Sequence, residues 1–324
     1  MKSYTFNSVF KEEILKFIAY RTNAGIKQIY AEYYSLKQFD DFALRYNIKT
    51  LLFTRRHAVL WKKPMSNETE NARYHRINRT KRFIQFLYTQ GYNVYVFWDI
   101  RIPKTDFVPH IYSDDEIVRY FNALDTTINH KAIHYEVQFP VLFRLLYCCG
   151  MRIEETLNIR KRDVDLDAGV IKLIETKNKK ERYIVLSKSM HDLMLSYADK
   201  VFFRLNDSGF IFHTSRLTHI DTSTVHKYHV SYLKRAGITY KGEGNGPRIH
   251  DWRHTFAVQS FKNMIDKGMD LYVALPILST YLGHKAIKST EKYVRLTMSM
   301  YPYIEERFKN TLDDIFTDCK YEND

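Results

Sequence analysis

The sequence predicts a mainly helical protein in two domains, the second carrying a small β-hairpin. Three observations predict it. Apolar residues recur at three and four positions through roughly residues 4–98. An aperiodic stretch with Pro103 and Pro109 then precedes a strong helix start at Ser113. Further on, β-branched runs at 170–174 and 183–186 flank a charged turn. At 324 residues the chain exceeds what one small core organises. The boundaries expected are a helical domain over 1–100, a linker over 101–112 and a second domain over 113–324 with a helical tail.

In chain order, "FKEEILKFIAYRTNAG" and "IYAEYYSLKQFDDFALRY" read as amphipathic helices with aromatic faces. A third helix runs through "RYHRINRTKRFIQFLYTQGY", with Ile77, Phe83, Ile84 and Leu87 predicted as buried. Arg73, Arg76, Arg79, Lys81 and Arg82 are then left for solvent, either as an ordinary hydrated face or as contacts to phosphate. Ser113 with Glu116 forms a capping box ahead of Ile117, Val118, Phe121 and Leu124. "QFPVLFRLLYCCGMRIEETLNI" reads as a buried helix, a break at Gly150 and a second helix opening at Arg152. "KGEGNGPR", 241–248, reads as a flexible loop and lacks the Gly-Lys-Ser/Thr ending of a phosphate-binding loop. The segment 303–316 is amphipathic. No internal repeat or low-complexity tract interrupts the pattern.

Composition narrows the partners. Lys plus Arg number 50 against 37 Asp plus Glu, a net charge of +13 that favours a polyanion. Nucleic acid fits better than a membrane surface, because no long uncharged apolar run occurs and Lys11, Glu12 and Glu13 stand where a signal peptide needs an apolar core. A soluble protein of the cytoplasm is expected. Cys148 and Cys149 are neighbours in an apolar helix and Cys319 stands alone, so neither a disulfide framework nor a metal site is expected; the pair reads as two buried small hydrophobes.

The chemistry-bearing residues are weak singly. His250 and Arg253 in "RIHDWRHTFAV" lie three apart, on one helix face, with Trp252 and Phe256 turned to the core. In "YLGHKAIKSTEKYVRL", Gly283 is a helix stop, His284 follows it, and Ser289 or Thr290 caps a helix bearing Tyr293. Arg152 opens a helix, whose positive end favours anions. A lone histidine is usually a surface or satisfied core residue, and a lone arginine is usually solvated. Order and spacing carry the signal. Arg, a Lys-bearing hairpin, His-x-x-Arg, Leu-Gly-His and a Tyr nine residues later form a pattern that resembles the tyrosine recombinase family, the phage-type integrases.

The resemblance covers roughly residues 140–297. It implies Arg152, Lys177, His250, Arg253, His284 and Tyr293 as the catalytic set, with Glu155 in support; Lys179 and Lys180 remain rivals of Lys177 and are further candidates for DNA contact. Trp252 and Met151 depart from the family's common leucines. The implied reaction cuts and rejoins double-stranded DNA through a 3′-phosphotyrosyl intermediate, in integration, excision or transposition of a mobile element. Arg152 and Arg253 would clamp the phosphate, His284 would add a donor, His250 would take the tyrosine proton, and Lys177 would protonate the leaving 5′-oxygen. No metal, ATP or other cofactor is called for. The implied architecture is a helical core-binding domain of SAM-like type and a mixed integrase-type catalytic domain, closing on DNA as a C-shaped clamp. The tail would join neighbours in a DNA-bound homotetramer or pack on its own domain, and accessory DNA-bending or directionality factors are possible partners. A type IB topoisomerase and a catalytically silent DNA-binding accessory factor are the alternative functions.

Overall fold

Residues 1–107 and 108–324 form two units in the computed structural model, which describes residues 5–25, 29–98, 100–101, 108–126, 133–174, 181–242, 246–284 and 288–307. Among the described residues the first unit holds four helices, α1 (Lys11–Asn23), α2 (Ile29–Arg45), α3 (Arg55–Trp61) and α4 (Glu70–Thr89). Their shared core is aromatic. Phe39 lies edge-on to Phe10 at 5.2 Å and to Trp61 at 5.5 Å, contacts that add about 1 kcal/mol each beyond area burial. Ile77, Phe83, Ile84 and Leu87 are all fully buried, as their spacing predicts. Thr69, whose side chain accepts from the backbone of Ala72, starts α4 ahead of the predicted run.

One expectation for α4 is corrected. Arg76 is not on the solvent face: it is 2% exposed, donates to the Trp61 and Lys63 carbonyls, and is paired with Glu68 at 2.6 Å. A guanidinium so engaged ties the α3–α4 connection together and has no access to a phosphate. Helical period alone misplaced it because arginine can cross a core when every donor finds an acceptor. Arg73 bonds Glu70 and the Lys62 carbonyl, and Arg82 pairs with Glu32 at 2.9 Å while staying half-exposed. Arg79 is half-buried beside Ser35.

The second unit begins earlier than Ser113. Tyr112, assigned to the linker by sequence, is buried, donates its backbone N–H to Thr255, and stacks on Trp252 at 3.8 Å. The capping box of Ser113 and Glu116 starts α5 (Asp114–Asp125). Next come α6 (Ile133–Cys148) and the short α7 (Ile153–Leu157). A three-stranded antiparallel sheet follows in the order β1 (Val164–Asp165), β2 (Val170–Ile174), β3 (Glu181–Val185). The register sets Lys172 opposite Tyr183 and Leu173 opposite Arg182. Helices α8 (Lys188–Val201), α9 (Thr222–Arg235), α10 (Asp251–Asp266), α11 (Leu271–Leu282), α12 (Lys288–Met300) and α13 (Pro302–Arg307) complete the unit.

Helix α10 is the spine, packed against α6, α11 and α12. Trp252 is fully buried, so the departure from the family's leucine is absorbed by the stack on Tyr112 and by Tyr120 at 4.7 Å. Two further expectations change. Cys148 is exposed while Cys149 is buried, because they sit on different faces of the helix end. Helix α12 starts at Lys288, so Ser289 and Thr290 lie inside it and do not cap it. No described helix is long and apolar enough to cross a membrane. Lys177, Lys179, Lys180 and Cys319 lie outside the described residues, as do 308–316 of the amphipathic tail and the middle of the 241–248 loop.

A buried histidine gives this unit a pH dependence. His229 is fully buried, with Nδ1 2.8 Å from the Tyr120 hydroxyl, and its pKa is pushed down to about 3, chiefly by burial. The neutral form is the folded form, so its contribution is complete above the unfolded value near 6.5 and is lost as pH falls toward 3. Between pH 6.5 and 5 the loss is about 2 kcal/mol. Denaturant unfolding at both pH values will show wild type losing more stability over this interval than His229→Gln, whatever the variant's starting stability.

Candidate active site

The loops that end α6 and α11 meet the start of α10. Gly150 closes α6 at φ +58°, and a Cβ there would come within 2.3 Å of the Phe256 ring. Glycine thus lets α10 approach the turn closely enough for Arg253, on α10, to donate Nη1 to the Gly150 carbonyl at 2.7 Å. From the other side Gly283, left-handed at φ 66°, ends α11, and Arg253 Nη2 donates to the Leu282 carbonyl at 2.5 Å. Arg253 is 1% exposed, held by one carbonyl just past the end of α6 and by the last carbonyl of α11.

His284 leaves the same turn, and its tautomer follows from its neighbours. Arg253 has only donors, so the 3.2 Å contact from Nη2 makes His284 Nε2 an acceptor. Its Nδ1–H then donates to Thr290 Oγ1 at 2.8 Å. The sequence casts His284 as a donor to phosphate; here Nε2 accepts. Burial, then Arg253 and Arg152, push its pKa down to about 4, which keeps the ring neutral.

Tyr293, on α12, is 1% exposed and stacks on His284 with ring centroids 6.1 Å apart and planes 10° apart. Arg253, on the neighbouring α10, acts on its hydroxyl electrostatically. Burial raises the phenol pKa, and Arg253 and Arg152 oppose that rise by favouring the phenolate. Lys292 lies over the ring at 5.0 Å. His254, one residue after Arg253, is buried and stands 5.4 Å from the Tyr293 ring and 4.7 Å from that of His250.

His250 precedes the first turn of α10 and keeps solvent access. Loss of hydration, then Arg253, Lys292, Arg248 and Arg152, hold its pKa down to about 4. It is therefore neutral and able to accept a proton at ordinary pH.

Arg152 is the N-cap of α7, about a third exposed, and donates Nη1 to Glu155 Oε1 at 2.5 Å and its backbone N–H to Oε2 at 3.0 Å. Arg182, on β3, donates to the same two oxygens at 3.2 and 2.6 Å. Burial alone would raise the Glu155 pKa, but Arg182 and Arg152 bring it down to about 2. The carboxylate is thus charged and saturated with donors.

The structure therefore gathers Arg152, Glu155, His250, Arg253, His284 and Tyr293 around one point. Sequence reading passed over Arg182, His254 and Lys292, and gave Thr290 a capping role instead of its bond to His284. His254 had a signal, being four residues after His250 on a helix. Arg182 had none, because its approach to Glu155 depends on the strand register.

A model of the phage integrase family matches residues 112–300, the stretch that contains every one of these groups. The chain is 28% identical over 194 residues to a putative integrase/recombinase, y4rB, of Sinorhizobium fredii, which covers 57% of this chain and 61% of that protein. It thus spans about three fifths of that relative's length. It is 27% identical over 233 residues to the tyrosine recombinase XerC of Oceanobacillus iheyensis, covering 68% of this chain and 69% of the relative. Among solved structures, the XerH site-specific recombinase bound to palindromic difH substrate, a post-cleavage complex, aligns with a TM-score of 0.66 at 17% identity, over 91% of this chain and 82% of that one; it shares the fold. Since the matched stretch makes up more than half of its length, the chain belongs to the phage integrase family.

Proposed function

We propose that the protein is a site-specific DNA recombinase that cuts and rejoins DNA through a 3′-phosphotyrosyl intermediate. The observation that carries this reading is the buried Tyr293 ring stacked on His284, whose Nε2 accepts from Arg253, a guanidinium fixed by two helix ends. A phosphodiester is an anion that repels nucleophiles, and charge builds on its non-bridging oxygens as the nucleophile arrives. Guanidinium groups remain charged and present paired donors, so Arg152 and Arg253 are suited to hold those oxygens. Tyr293 oxygen then forms a bond to phosphorus, the P–O5′ bond breaks, and the 5′-oxygen departs with its electron pair.

Proton traffic follows the neutral groups. His250 accepts the phenolic proton, with His254 packed between it and the tyrosine. The family resemblance assigns the leaving-group proton to Lys177, with Lys179 and Lys180 as rivals. The phosphotyrosine conserves the energy of the broken bond, and attack by a second 5′-hydroxyl restores the phosphodiester without ATP. Within this reading the first unit grips the far side of the duplex as part of a clamp, and the protein acts in the cytoplasm as a DNA-bound homotetramer linked by the tail.

Two labelled duplexes carrying the site test the reaction. Joined hybrid products are the expected result; relaxation of supercoils without hybrids would mean a topoisomerase. Binding will fall steeply with salt. Replacing Lys81 and Arg82 together by glutamine will lower the slope of log K against log salt by about 2 if each meets a phosphate. An unchanged slope would remove α4 from the interface.

A further inference from the structure

Two guanidinium groups, of Arg152 and Arg182, bind a single carboxylate, Glu155, while Arg253 and Lys292 add positive charge beside neutral His250 and His284. A phosphodiester carries one negative charge, and the five-coordinate species formed on attack approaches two. Arg152 and Arg253 face that charge, but Glu155, beside Arg152, opposes it. Arg182 offsets Glu155. Its side chain is 14% exposed, on a strand, and it binds both Glu155 oxygens, so that Glu155 is held from the sheet as well as from α7.

We infer that Arg182 is a positioning residue for strand cleavage: it pins the carboxylate that aims Arg152 and keeps that carboxylate from cancelling the charge of Arg152. The inference rests on the recombinase reading above. Without Arg182, Glu155 would close on Arg152 as an isolated pair, drawing that guanidinium away from the phosphate and cancelling its charge. Arg182 touches neither substrate nor nucleophile and acts through Glu155.

The test uses the full-length protein and a nicked duplex that traps the covalent complex. It compares wild type, Arg182→Gln, Arg182→Lys and Tyr293→Phe on an ordinary phosphodiester and on a neutral methylphosphonate at the same position. Arg182→Gln is expected to bind DNA as wild type does but to cleave the phosphodiester about 100-fold more slowly, the cost of a clamp displaced by about an ångström. Arg182→Lys, which keeps the charge, is expected to recover part of that loss. On methylphosphonate, where less charge needs matching, the gap between wild type and Arg182→Gln is expected to shrink at least tenfold. Equal losses on both substrates would reduce Arg182 to a structural part and overturn the inference, as would a wild-type rate in Arg182→Gln. Should Arg182→Gln not fold, the ratio of the two substrates for Arg182→Lys against wild type decides in the same way. Failure of wild type to attach to DNA at all would instead reject the recombinase reading.

Discussion

Tyr293→Phe will bind the DNA site with unchanged affinity and form no covalent complex, a complete loss in any cleavage assay. The substitution removes one oxygen from a side chain that is already buried, so the ring keeps its stack on His284 and its contact with His254. Stability should therefore stay within about 1 kcal/mol of wild type, the net worth of one hydrogen bond at most. A gel shift, a denaturing gel and a melting curve on one preparation separate the three quantities. Residual covalent attachment in this variant would assign the nucleophile to another side chain.

Arg253→Lys carries the second large effect, and unlike the first it will cost stability as well as rate. Lysine offers a single ammonium where the guanidinium bridges the Gly150 and Leu282 carbonyls and His284. At least one of those buried carbonyls loses its partner, which costs about 1–3 kcal/mol. Single-turnover cleavage is expected to fall by about 10³, the loss found when one preorganised donor to a developing oxyanion is removed. Denaturant unfolding and cleavage measured side by side check both. A loss of rate with full stability would mean that the two helix ends do not depend on Arg253 for their alignment.

Much of this site was legible in the order of residues along the chain, because the chemistry demands particular groups and short motifs carry them. His250 and Arg253 share a helix start, and Gly283 must take a left-handed conformation to end α11, so both could be placed from spacing alone. What stayed hidden depends on meetings between distant segments. Arg182 reaches Glu155 only through the pairing of β2 with β3, and no spacing along the sequence encodes that. Thr290 looked like a cap because threonine favours that position, whereas its hydroxyl serves His284 from inside α12. Arg76 illustrates the opposite error: charge suggested solvent, but a guanidinium with carbonyls and a carboxylate around it can be buried at little cost.

The most direct measurement is the mass of the peptide bearing Tyr293 after the protein reacts with a nicked duplex, followed by nuclease and protease digestion. The account predicts a nucleotide joined to Tyr293 through its 3′-phosphate, present in wild type and absent from Tyr293→Phe. A nucleotide on any other residue, or cleaved DNA with no nucleotide on the protein, would contradict it.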